Sequence, residues 1–241
     1  MLKWFRKLIG RPKKCHTNSP GAAEVGYTIF IPNKTPLMAA FPTQLVEVVE
    51  YLNTIEIEIS KKMDGRLASA DDETTVFDLL VEKFGPENII REPKVRWWWD
   101  YQVFGYPTNF KSSTYASADN FSSKGALLYA LTYLETKYID EMNSCRWKKF
   151  QQQLKDNSGK ENNRDYYIIT LNKNNNECHL SSLKTLNKLT SNGNNLPFQI
   201  DWKDNLSPVE RDYLQSYDFL VGCYKESVRK KVSSHDGYDE L

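Results

Sequence analysis

The chain has 241 residues, of which 40% are apolar, 26% charged and 13% aromatic, with a formal net charge of +1. That length suits one domain with a real core, and the composition is that of a soluble globular protein, not of a disordered or fibrous chain. The four cysteines (Cys15, Cys145, Cys178, Cys223) are dispersed without a CxxC pair, so neither a zinc pattern nor a disulfide scaffold is expected, and a reducing cytoplasm is the simplest setting. No apolar run approaches the length of a membrane span.

The first 14 residues, MLKWFRKLIGRPKK, are basic and amphipathic without the apolar run and cleavage site of a signal peptide. Two readings stand for this arm (about residues 1–20): a surface helix touching membrane or phosphate backbone, or a frayed tail. Residues 12–35 are rich in Pro, Gly, Asn and Thr around a short strand candidate, Tyr27–Ile31. From Pro42 to Met63, Leu45, Val48, Val49, Leu52, Ile55 and Ile59 recur at helical spacing and predict an amphipathic helix. A second helix is signalled by Asp71, Asp72 and Glu73 at its start. Val76, Phe77, Leu80, Val81 and Phe84 form its buried face, and Gly85-Pro86 its stop.

The centre of the chain is Val95–Lys111, VRWWWDYQVFGYPTNFK, two aromatic runs separated by a hairpin signal. A turn centred on Gly105 and Tyr106 sets Asp100 opposite Lys111 and Gln102 opposite Asn109. These four then share one face, with Trp99, Tyr101 and Phe110 on the other. A polar loop, 112–123, precedes a helix over 125–140 that extends through Trp147 to Leu154. Strands are expected at 166–171, 178–180 and 198–202, and a short helix or turn at 182–189. A last helix spans 208–230, before a polar tail (about 231–241). The order of elements predicts an α/β fold, a mixed central β-sheet flanked by helices, in a single domain.

An acid, an amide and an amine gathered on a strongly apolar hairpin exceed what a core needs. Asp100 followed by Asn109-Phe110-Lys111 resembles the catalytic hairpin of the PD-(D/E)xK nuclease superfamily, in the form with Asn at the second acidic position. Ala118-Asp119-Asn120, Ser122–Thr132, Leu186–Leu189 and Asn192–Gln199 are similar to segments of certain type II restriction endonucleases. Trp99, not Pro, precedes Asp100, a departure from that pattern. The resemblance implies a restriction-endonuclease-like fold and a Mg²⁺-dependent, sequence-specific cleavage of double-stranded DNA, within a restriction-modification system. The partners implied are duplex DNA, a second copy in a homodimer, and a cognate DNA methyltransferase that protects the host.

Under that resemblance Asp100 is the main carboxylate ligand of Mg²⁺, completed by the Asn109 side-chain oxygen and the Phe110 backbone carbonyl. Lys111 orients or activates water, or neutralises phosphate. A helix before the hairpin can contribute an acid, and Glu73 is the candidate; the alternative is a first-turn capping acid. Ser117, Asp119, Asn120, Ser122, Ser123 and Lys124 suit phosphate oxygens and base edges, with Lys124 the leading backbone contact. Asp119 either caps the next helix or accepts from cytosine. Asn192, Asn194, Asn195 and Gln199 carry amides of the kind that read adenine, in a sequence equally natural as a turn. His16, His179 and His235 are scattered, and phosphate-binding-loop, dinucleotide and nucleophile-elbow motifs are missing. Two rivals remain: an inactive nuclease-like DNA-binding module, and a protein-interaction domain using the aromatic surface.

Overall fold

Helix α1, Thr43–Leu52, buries Leu45, Val48, Val49 and Leu52 along one stripe. The helical periodicity continues to Ile59, yet the helix stops at Leu52. Asn53 explains the stop: its amide donates to the Cys178 carbonyl at 3.0 Å, and its oxygen accepts from the Cys178 backbone N–H at 2.7 Å. The side chain thus imitates a ladder partner and ties the helix end to a strand. The β-branched residues that follow run extended, with Ile57 buried in the same core. The computed structural model describes residues 41–60, 65–94, 97–121, 124–142, 145–159, 162–192 and 198–233, all within the compact unit Thr35–Leu241. The basic arm, the Tyr27–Ile31 strand and the tail beyond 233 lie outside the described residues.

Helix α2, Gly65–Phe84, begins earlier than its acids imply, so Asp71, Asp72 and Glu73 lie inside it and not at its N-terminus. It ends as read, at Gly85, whose φ of +87° suits glycine and whose N–H returns to the Val81 carbonyl. Strands β1 (Ile89–Arg91), β2 (Tyr101–Val103), β3 (Tyr106–Ser113), β4 (Asp119–Phe121), β5 (Tyr167–Asn172), β6 (Glu177–Ser182), β7 (Thr190–Ser191) and β8 (Phe198–Ile200) follow. They form a five-stranded sheet in the order β1-β2-β3-β5-β6 and a three-stranded sheet, β4-β8-β7. Every pairing is antiparallel except β3 with β5. The fold is therefore mixed α/β, a mostly antiparallel central sheet flanked by helices.

The hairpin pairs Tyr101 with Thr108 and Val103 with Tyr106, two residues from the expected register. Its two-residue loop is Phe104-Gly105, both at positive φ (50° and 82°), the primed-turn geometry whose twist matches paired strands. The shift is even, so the faces survive, but Gln102 faces Pro107 and Asp100 comes alongside Asn109. One face of the sheet carries Tyr101, Val103, Phe110, Ile169 and Leu171 into a core shared with α1 and α2. The other carries Tyr166 and Ile168 into a second core with Trp98 and Trp99. Trp99 thus departs from its expected side, because regular strand begins only at Tyr101 and the two tryptophans precede it in a bent segment.

The helix expected over 125–154 is three: α3 (Lys124–Leu131), α4 (Thr136–Met142) and α5 (Trp147–Asn157). The end of α3 is claimed by side chains, with Thr132 Oγ1 on the Leu128 carbonyl and Tyr213 Oη on that of Leu131. At the other end Gly125 lies against the Trp98 indole, where a Cβ would stand 2.4 Å from Cγ. Residues 183–189 form a turn and irregular backbone with no helix, and a 3₁₀ turn, Trp202–Asn205, follows β8. The last helix, α6 (Tyr213–Ser233), starts after Asp212, not at Pro208. Asp212 and Gln215 form a reciprocal capping box, at 2.8 and 3.0 Å. No described helix is long and apolar enough to cross a membrane.

Candidate active site

Asp100 stands where β2 begins. Its backbone N–H donates to the Thr108 carbonyl at 3.0 Å and its carbonyl accepts from Glu92 N–H at 3.0 Å, so it is locked between two strands. Its Oδ2 accepts from the Phe110 N–H at 2.8 Å and from the Asn109 amide. That second bond fixes which way the Asn109 side chain faces: its nitrogen is spent on Asp100. Its oxygen is buried and has no hydrogen-bond partner. A buried acceptor left unpaired costs about 1–3 kcal/mol, and such an atom beside a carboxylate is where a hard cation would be satisfied.

Lys111 lies two residues on, on the same face and half-buried. Glu73 reaches the cluster from α2, whose backbone at this residue is held by the Tyr101 hydroxyl. Burial, then the Asp100 charge, raises the Glu73 carboxyl to about 7, with Lys111 and Arg91 opposing. Burial also raises Asp100, against the Lys111 charge and the Phe110 N–H. The Lys111 charge and the Phe110 N–H favour the ionised form of Asp100 but do not outweigh its burial, so both carboxyls of this pair hold a proton more readily than a free carboxyl. Asp100 and Asn109 are thus bonded, and the charges of Lys111 and Glu73, from positions up to 38 apart in the chain, act on the same carboxylate or are acted on by it. Gln102, opposite Pro107, is not joined to Asp100 or Asn109 by a hydrogen bond.

The neighbouring acids of α2 do other work. Asp72 is fully buried, ion-paired to Lys173 at 2.6 Å and bonded to the Ser60 N–H and the Ser112 hydroxyl. Asp71 accepts from the Ser60 hydroxyl. Glu73 is therefore not a capping acid, and one helical step separates an anchor from a site residue.

Sequence reasoning missed Arg91 and Glu92. Glu92 Oε2 is buried without a hydrogen-bond partner, 3.6 Å from Arg91 Nε, and its charge raises both Glu73 and Asp100. The only available signal was the short run Ile89-Ile90-Arg91 before Glu92, too brief for a strand periodicity to show. Among the described residues no three His, Cys, Asp or Glu side chains are gathered closely enough to hold a metal ion. Any cation here would rely on Asp100 together with neutral oxygens such as Asn109 Oδ1.

The second cluster divides. Asp119 accepts through Oδ2 from the Trp202 indole N–H, which ties β4 to the 3₁₀ turn after β8 and takes that oxygen from any base. Lys124, expected to reach DNA phosphate, donates to the Cys145 carbonyl and lies 4.8 Å over the Trp147 ring. It braces α3 against α5. Ser117 is exposed in the bend after β3. Asn120 Oδ1 accepts from Asn192 Nδ2 at 3.0 Å and from Gln199 Nε2 at 3.3 Å, so three amides meet at the small sheet, two of them 72 and 79 residues from Asn120 in the chain. Ser122, Ser123, Asn194, Asn195, His16 and His235 lie outside the described residues. His179 sits 3.6 Å from Glu177 on β6.

Neither a scan of the chain against protein-family models nor a search of curated proteins finds a match.

Proposed function

We propose that the chain is a Mg²⁺-dependent, sequence-specific double-stranded DNA endonuclease resembling type II restriction enzymes of the PD-(D/E)xK superfamily, with Asn109 at the second acidic position. The observation that carries this reading is the buried, unpartnered Asn109 Oδ1 held beside the Asp100 carboxylate, within the electrostatic reach of Lys111 and Glu73. Asp100, Asn109 Oδ1 and the Phe110 carbonyl would hold the cation. When bound, Mg²⁺ supplies charge relief for the phosphate and the departing oxygen. Lys111 orients water or meets the phosphate charge. Glu73, with its carboxyl near 7, would hold or release a proton in the working range of such an enzyme. The restriction-endonuclease-like character of the fold, the homodimer, the companion methyltransferase and a cytoplasmic location belong to the same proposal.

One observation favours a second reading, DNA binding without cleavage: no three acidic or His ligands are gathered among the described residues. Supercoiled plasmid incubated with and without Mg²⁺ separates the two. Discrete fragments that require Mg²⁺ support the nuclease. Retarded but intact plasmid supports the binding module, and neither result leaves a protein-interaction domain.

A further inference from the structure

The small sheet has one dry face and one wet one. Phe121, Phe198 and Ile200 are buried in the core that also holds Trp98 and Trp99, and Asp119 is spent on Trp202. On the opposite face the ladder sets Asn120 beside Gln199, and Gln199 beside Thr190. Asn120 and Thr190 are exposed and Gln199 half-exposed. A bare cross-strand pair of amides would swing freely. Here Asn120 Oδ1 accepts from both Gln199 and Asn192, so the pair is held before any ligand arrives.

Resting on the nuclease reading, we propose that Asn120 and Gln199 together read the major-groove edge of an adenine. A hydrogen bond between two carboxamides consumes one NH₂ group and one oxygen. It leaves one NH₂, on Asn120, and one oxygen, on Gln199, on neighbouring residues of the wet face. The second bond, from Asn192 Nδ2, favours this orientation, since turning Asn120 over would set its NH₂ against that of Asn192. Adenine presents an acceptor, N7, beside a donor, the N6 amino group. Guanine presents two acceptors, cytosine a donor, and thymine an acceptor with a methyl. Adenine alone among the four matches both of these groups. The minor groove does not suit the pair, since adenine shows only an acceptor there. The carrier is the outer face of the antiparallel sheet β4-β8-β7, with the reading pair mid-strand, and strands serve as base readers in several DNA-binding folds. Asn192 positions the pair and does not itself read the base.

The test uses the full chain with Mg²⁺ and a duplex library randomised over a central window, with cut and bound molecules sequenced. The wild type is expected to select a motif containing at least one fixed A·T pair. Replacing that adenine by 7-deazaadenine, which lacks the N7 acceptor, should weaken cutting and binding about tenfold or more. Asn120→Ala and Gln199→Ala should each relax that position, and the double variant should relax it little further, because donor and acceptor act as one unit. A selected motif with no A·T pair overturns the assignment while leaving the nuclease reading in place. So does indifference to 7-deazaadenine, or an unchanged motif in both variants. A wild type that neither cuts nor binds any duplex overturns the nuclease reading and this assignment with it.

Discussion

At Asp100, the carboxylate is the acceptor for one buried backbone N–H and one buried amide, so removing it has two consequences. Asp100→Ala should abolish cleavage, and it should also destabilise the fold by about 1–3 kcal/mol by leaving those donors unpaired. Asp100→Asn retains the shape and separates the two effects; cleavage of plasmid and urea midpoints read them. Asn109→Asp adds a formal charge at the open oxygen and should lower the Mg²⁺ midpoint of cleavage, with no required gain in rate. Asn109→Leu should need far more Mg²⁺ or be inactive, and a Leu variant that titrates like wild type would remove Asn109 from the site.

Glu73 gives a pH dependence whose sign is fixed by its raised carboxyl. Its value of about 7 in the folded protein lies above the ordinary 4.5, so the folded state binds this proton more tightly than the unfolded one. Its stabilising contribution is full below about 4.5 and is lost as pH rises to 7. Glu73→Gln should therefore gain more stability relative to wild type at pH 8 than at pH 5, measured by denaturant midpoints. The wild-type cleavage rate should rise through pH 7, and the variant should lose that inflection.

At the level of elements, the structure turns a surface expectation into packing. Lys124→Ala, which as a phosphate contact would reduce the salt slope of DNA binding by about one, should instead lower stability and leave the slope unchanged, because the ammonium is spent on Cys145 and Trp147. Salt-series binding and thermal melts distinguish these. Gly125→Ala places a methyl at 2.4 Å from the Trp98 ring carbon. Either α3 or the indole must move, at a cost of about 1–3 kcal/mol. Since Trp98 precedes Asp100 by two residues, cleavage should fall with stability.

For the whole molecule, the sequence by itself determined the class of fold, the hairpin and the membership of its polar face. Alternation along a strand survives any even change of register, which is why Asp100, Asn109 and Lys111 remain together although the turn moved. It also determined the strands at 167–172 and 177–182, where β-branched and aromatic residues meet clear turn residues, and the end of α2 at Gly85. Tertiary structure alone decided where α1 stops, since that depends on Asn53 reaching Cys178, 125 residues away. It decided that α3 ends at Leu131, where Thr132 turns back on Leu128 and Tyr213, 82 residues away, takes the Leu131 carbonyl. It placed Glu73 at the site and Asp72 in an ion pair, a division that adjacent acids on one helix cannot express in sequence. It brought Asn120, Asn192 and Gln199 together and turned Asp119 and Lys124 inward. A periodic pattern reports which face of an element is dry; which partner meets its polar groups is set by contacts between segments, and those have no local signature.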